Sequence, residues 1–145
     1  MPQRIQTLGR GQIPGVWFCL CALAATFFSL TARAYDPTDH YDKRTIEGWT
    51  VYVNQDLLAD KPLADRCLAL LQVKLFELQR VLPAAAVAEL KEVPIWIELN
   101  DPKFPCACYH PSKQWLKENG VNPDKAKSLE IANARNFLTW TIEQP

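Results

Sequence analysis

Histidine and glycine are scarce in this chain, with two of the first and five of the second in 145 residues. Gly9, Gly11, Gly15, Gly48 and Gly120 form no phosphate-cradling loop, and His40 and His110 are too far apart to write an H-E-x-x-H zinc helix. Charge of one sign is not in excess either, since 16 Lys plus Arg face 16 Asp plus Glu. No internal repeat, low-complexity tract or second-domain linker interrupts the sequence. These absences exclude a collagenous, coiled-coil or wholly disordered chain. What remains, 48% apolar and 22% charged residues, is the composition of one globular domain.

The charge balance conceals a split. Arg4, Arg10 and Arg33 precede every carboxylate, and without residues 1–34 the chain keeps 13 basic and 16 acidic side chains, a net charge of −3. Such a surface has no global attraction for phosphate, which argues against nucleic acid or an anionic membrane as partner. The first 34 residues read as a secretory signal peptide: a basic head, an uncharged apolar stretch from Val16 to Leu30, and a small-x-small exit at Ala32-Arg33-Ala34. At about 1.5 Å per residue the stretch spans about 22 Å of a hydrocarbon layer roughly 30 Å thick, too short for a stable membrane anchor. The expectation is therefore cleavage after Ala34 and a secreted or extracytoplasmic protein. Cys19 and Cys21 leave with the signal, and Cys67, Cys106 and Cys108 remain, an odd number that predicts one disulfide and one further thiol.

In the mature part, 35–45 is polar, lacks an apolar period and reads as a flexible lead-in, with an α/β domain expected over 46–145. Trp49, Val51 and Val53 alternate with Thr50 and Tyr52, which predicts a half-buried strand. Asp60 can cap a helix whose first turn tolerates Pro62. Its stripe runs through Cys67, Leu68, Leu71, Leu75, Leu78, Val81 and Leu82 until Pro83 ends it and opens a short helix over Ala84 to Leu90. A second strand is expected over Val93 to Leu99, and a third over Ser128 to Ala134. Two strands joined by a long helix suggest a βαβ crossover, although an antiparallel pairing is open. Asn100 to Pro111 reads as a proline-rich loop, Trp115 to Asn119 as one helical turn, and 136–144 as ambiguous. The fold class predicted is α/β, a small mixed sheet of about three strands with one long packed helix and short flanking helices. Phe137, Trp140 and Ile142 either pack back onto that sheet or mark a domain whose remainder lies beyond Pro145.

The densest cluster of soft ligands is Cys106-Ala107-Cys108-Tyr109-His110. Thiolates and imidazole suit zinc or copper, but in an extended chain these side chains sit about 6–7 Å from their neighbours, too far for one ion unless the loop curls. A disulfide, from Cys67 to a loop cysteine or between the two loop cysteines, is the expectation instead. His110 reads as a loop hydrogen-bonder and His40 as solvated. A nucleophilic Cys108 would need an orienting group for its base, and none can be assigned. Glu98, Asp101, Glu118, Glu130 and Glu143 are spread along the chain, with surface the expected fate of most. Catalytic, cofactor-binding and metal-ligating residues are accordingly assigned to none of this chain's positions.

Tyr109-His110-Pro111-Ser112, Trp115-Leu116, Asn119-Gly120, Asn122-Pro123, Lys125-Ala126, Glu130-Ile131-Ala132-Asn133-Ala134 and Gln144-Pro145 together form a pattern. It resembles a family of exported bacterial zincin-like metallopeptidases. The resemblance covers Ile46 to Pro145 and is most specific after Cys106. In that family the pattern ending in Gln-Pro continues into a zinc helix carrying H-E-x-x-H, whose histidines bind zinc and whose glutamate activates water. None of those residues stands in this sequence. What the resemblance implies is architecture, the amino-terminal half of a zincin fold, with Ser128 to Ala134 leading toward the active-site helix and holding peptide substrate by strand addition. It implies a peptide or protein partner, no cofactor in this chain (zinc only with a further segment), and no activity as given. The alternative from the residues is a secreted, noncatalytic α/β binding module that uses exposed Trp and Tyr.

Overall fold

The computed structural model describes residues 35–104 and 107–143, the side chains of 141–143 excepted. The expected signal peptide at 1–34 and Cys106 lie outside the described residues. The chain builds a mixed sheet from β1 (Tyr41–Ile46), β2 (Trp49–Asn54), β3 (Ile95–Ile97), β4 (Ala107–Tyr109) and β5 (Leu129–Ile131), in the spatial order β1-β2-β3-β5-β4. β2, β3 and β5 run parallel, while β1 and β4 pair antiparallel at the two ends. The α/β class is as expected, but the sheet has five strands rather than about three.

Both unexpected strands are sheet ends, and that explains why neither shows an apolar period. β1 takes in the second half of the expected lead-in and runs on to Ile46, and of Tyr41-Asp42-Lys43-Arg44-Thr45-Ile46 only Tyr41 is buried, because a strand with one neighbour and little cover needs no alternation. Its turn is Glu47-Gly48, with φ of 50° and 90°, the left-handed pair that a two-residue hairpin demands and that glycine adopts without strain. β4 is three residues long and sits in the proline-rich loop. Ser128–Ala134 as a peptide-holding edge is corrected too: β5 is flanked by β3 and β4, so its main chain is already committed on both sides.

Parallel pairing of Val51, Tyr52 and Val53 with Ile95, Trp96 and Ile97 settles the connection between β2 and β3 as a crossover. The connection contains α1 (Gln55–Ala59), α2 (Lys61–Val81) and α3 (Ala84–Lys91). Asn54 caps α1 through Asp56 N–H at 2.8 Å, and Asp60 caps α2 through Leu63 N–H at 3.3 Å. Leu63, Ala64, Cys67, Leu71 and Leu75 form the buried stripe of α2, packed on Val51, Val53, Ile95, Ile97 and Ile131. Burying each leucine fully is worth about 1.5–3 kcal/mol before ordering costs. The stripe ends sooner than its period suggests, because Val81 is 78% exposed where the helix leaves the sheet.

The ambiguous segment near the carboxyl end is a helix, α5 (Ala134–Glu143), packed beside α2 with Phe137 and Leu138 against the core and Trp140 exposed. Among the described residues no helix is long and apolar enough to cross a membrane. Asp60 does double duty: besides capping α2, its second carboxylate oxygen accepts from Arg135 of α5 at 3.0 Å. Asp60→Ala is expected to lower unfolding free energy by about 1 kcal/mol, almost all of it from the cap, since the Arg135 pair is exposed. A urea titration reads this, and Asp60→Asn should restore most of it.

Candidate functional site: a buried ionic cluster between a polar cleft and an aromatic groove

The two faces of the sheet differ in kind. Pleating sends Val51, Val53, Ile95, Ile97 and Ile131 toward α2, so their neighbours Tyr52, Trp96, Glu130 and Cys108 point to the other side, in register across four strands. That second face is covered by the chain from His110 to Ser128, containing α4 (Lys113–Glu118) and a 3-10 turn at Pro123–Lys125. The cover is clamped at its base, where His110 N–H donates to Ser128 O at 3.0 Å and Lys127 N–H to His110 O at 2.6 Å. Asn122 shapes the turn by accepting from Asp124 N–H at 3.0 Å, and Ser128 Oγ ties to Lys125 O at 2.5 Å.

This turn delivers Lys125 into the middle of the covered face, 3% exposed. Its ammonium donates to Glu98 Oε1 at 2.8 Å and to Glu130 Oε1. It also lies 5.7 Å from the ring centres of both Tyr41 and Trp96. Trp96 stacks on Tyr52 with centroids 4.3 Å apart and meets Tyr41 edge-on at 4.8 Å. Its Nε1 is the one buried side-chain polar atom without a hydrogen-bond partner among the described residues. Glu98 accepts further from Asn54 Nδ2 at 2.8 Å, and Glu130 Oε2 lies 2.5 Å from His110 Nε2.

For Glu98, Glu130, Lys125 and Tyr41 burial is the largest single influence on titration, and in Glu130 and Lys125 the partners outweigh it. Desolvation pushes Glu98 up, and the attraction of Lys125 offsets only part of that, so Glu98 ends above the ordinary carboxylate range. Desolvation also pushes Glu130 up, but the His110 hydrogen bond and the Lys125 charge outweigh it, and Glu130 ends below. Lys125 loses from burial and gains more from the two carboxylates, ending above its usual value. Tyr41 is raised by burial and by the Glu98 charge beside it.

Glu98 and Glu130 are thus not the surface residues that sequence reasoning makes of them. Glu118 is exposed and bonded within α4's face to Gln114, as expected, while Asp101 shapes a turn through Lys103 N–H. The Glu143 side chain lies outside the described residues. His40 is not free in solvent, since its Nε2 meets Asp56 at 3.3 Å. His110 is the hydrogen-bonder it was expected to be, though buried rather than on a loop surface. Sequence signals for the cluster were weak. A Lys five residues before a Glu that alternates with Leu129 and Ile131 was a legible hint, because a strand's second face can be buried as well as its first.

The Cys67 disulfide is a further correction. Cys67 is a free thiol, fully buried under α2, donating to Ala134 O at 3.3 Å, while Cys108 stands on the opposite sheet face. Burial pushes the Cys67 thiol up to about 11, which makes it inert. Cys108 is closer to His110 than an extended chain allows, with Sγ 3.6 Å from Nε2, because the chain bends out of β4 at His110. A nucleophilic triad does not result. The same imidazole nitrogen faces both Cys108 and Glu130, whereas a base must present one nitrogen to the nucleophile and the other to its orienter.

Two concavities flank the cluster. A polar cleft of about 270 Å³ opens where β2 and β3 end, lined by Asp36, Tyr41, Asn54, Glu98, Asp101 and Lys125 among others. An aromatic groove of about 420 Å³ lies along β4, lined by Phe104, Cys108, Tyr109, His110, Pro111, Ser112 and Trp115, with Tyr109 and Trp115 about half exposed. The chain matches no protein-family model, no curated protein and no solved structure.

Proposed function

We propose that this chain is the amino-terminal scaffold of an exported zincin-like metallopeptidase, and that its own task is to hold a peptide in the aromatic groove beside β4. One observation carries the reading. The antiparallel strand β4 ends the sheet next to β5, which leads into α5, and β4 is accompanied by a groove with half-exposed Tyr109 and Trp115. Strand-flanking grooves of this kind take extended peptides, whose alternate side chains enter the pocket. The ionic cluster beneath serves as the anchor that keeps the His110–Ser128 cover, and so the groove, in place.

The residues present do not fit a zincin's zinc. His40 and His110 are the only histidines, one committed to Asp56 and the other to Glu130, on separate segments. No catalytic step is therefore derived from that ion, and the chain by itself is expected to be inactive. The same groove favours a second reading, a secreted noncatalytic module that binds peptides and never cleaves them.

Anisotropy of fluorescent extended peptides carrying one aromatic or branched apolar side chain tests the shared part. The double variant Tyr109→Ala, Trp115→Ala is expected to weaken binding tenfold or more, as truncated aromatic anchors do, with an unchanged circular dichroism spectrum. Binding that survives both truncations removes the groove from the reading. The two readings separate at the gene: an open frame after the Pro145 codon encoding H-E-x-x-H supports the peptidase scaffold, and a stop codon there overturns it.

A further inference from the structure

The geometry points to a transition-metal site of the zinc class built from Cys108, His110 and Glu130, distinct from any H-E-x-x-H centre. Three donor atoms of the right chemistry converge. Cys108 Sγ is 3.6 Å from His110 Nε2 and 3.9 Å from Glu130 Oε2, and those two atoms are 2.5 Å apart. All three lie within 4.8 Å of one another. With metal–ligand lengths of about 2.0–2.3 Å, a tetrahedral ion sets its sulfur about 3.5 Å from a nitrogen or oxygen ligand and sets nitrogen about 3.3 Å from oxygen. Two of the three separations already match to within about 0.4 Å, and the third needs His110 and Glu130 to part by about 0.8 Å as the ion replaces the proton between them.

Charge and support favour the same occupant. With neutral imidazole and thiol, Glu98, Glu130 and Lys125 leave the cluster at −1, and a divalent ion on a Cys108 thiolate brings it to zero. Lys125 holds Glu130 by Oε1, which fixes the carboxylate and leaves Oε2 for the ion, the outer contact that ligating carboxylates commonly have. Glu130 is buried in β5, and His110 is buried just past the end of β4, where its main chain pairs with Ser128 and Lys127, so the donors are preorganised rather than gathered from a loose loop. Cys108 and His110 also line the aromatic groove, which gives the ion an entry path and leaves its fourth position to water. Binding releases one proton, from the Cys108 thiol, while the proton in the His110–Glu130 contact moves to His110 Nδ1 so that the imidazole ligates neutral through Nε2.

Cobalt(II) is the probe, added under reducing conditions to the full chain carrying C19S, C21S and C106S, so that Cys108 is the only thiol besides buried Cys67. The expected result is a thiolate-to-cobalt charge-transfer band with tetrahedral visible bands, displaced stoichiometrically by zinc. Cys108→Ser on that background should abolish the charge-transfer band, and Glu130→Gln should keep it while weakening affinity tenfold or more. Zinc should also slow maleimide labelling of Cys108 in the folded protein, a readout independent of any activity. A missing charge-transfer band, a band that persists in the Cys108→Ser variant, or labelling that zinc leaves unchanged would each overturn the site.

Discussion

Replacing Lys125 by methionine is expected to lower the unfolding free energy by about 3–5 kcal/mol, the usual cost of removing one partner from a buried ion pair. Among the described residues the ammonium is the only lysine or arginine charge within reach of two carboxylates that are 5% and 0% exposed, and it is also the cation beside the Tyr41 and Trp96 rings. Methionine matches its length but leaves Glu98 and Glu130 facing each other without a counter-charge. They must then take up protons or admit water, and the His110–Ser128 cover loses its central tie. Lys113→Met is the contrasting variant. Lys113 faces Asp124 at 3.8 Å with both side chains more than half exposed, and its loss should cost less than about 0.5 kcal/mol. Urea denaturation of both variants measures the difference. Adding Glu98→Gln to Lys125→Met should recover part of the loss, since it removes one of the stranded charges. Equal effects of the two lysine substitutions would show that the cluster anchors nothing.

The parts of the fold that sequence made legible are those in which one face of an element is apolar and the other is wet. Cys67, Leu71 and Leu75 recur at helical spacing under Asp60 and Pro62, and Trp49, Val51 and Val53 alternate, so α2 and β2 follow from periodicity alone. β1 and β4 escape that logic because an end strand draws its order from main-chain pairing with one neighbour, which leaves no mark on side-chain composition. The cluster is hidden for a different reason. Glu98, Lys125 and Glu130 look like ordinary surface residues, since burial of a charge depends on a partner that only tertiary structure supplies. Cys108 and His110 were visible as a pair, but Glu130, which completes their geometry, stands twenty residues after His110.

Glu130→Gln is expected to cost about 3 kcal/mol at neutral pH and, more tellingly, to change the shape of stability against pH. The cost follows from two charge-assisted contacts, to Lys125 and to His110, each worth about 1.5–3 kcal/mol: glutamine's one carbonyl oxygen keeps a weaker, neutral bond to Lys125, and its amide N–H can only donate to His110 Nε2 in the other tautomer. The pH dependence follows from the direction of each shift. Glu130 titrates in the folded protein below its ordinary 4.5, so the folded state binds its proton more weakly than the unfolded chain does. Its stabilisation is therefore full above about 4.5 and lost as pH falls through the folded value. Glu98 is shifted the other way, so its contribution is greatest in acid and falls as pH rises through its own raised value. Lys125, raised above 10.5, adds stability that is complete below that value and disappears only when alkali carries the pH through the folded one. On acidification below 4.5 the wild type should therefore lose stability as Glu130 takes up its proton. The glutamine variant should hold level or gain, because only the Glu98 contribution remains of the pair. Glu98→Gln should do the reverse and steepen the acid loss. Urea midpoints across the acid range for the three proteins decide this by difference, which cancels the carboxylates they share. Parallel curves for wild type and Glu130→Gln would mean that the His110 and Lys125 contacts do not hold Glu130 ionised, and with that the anchoring role of the cluster would fall.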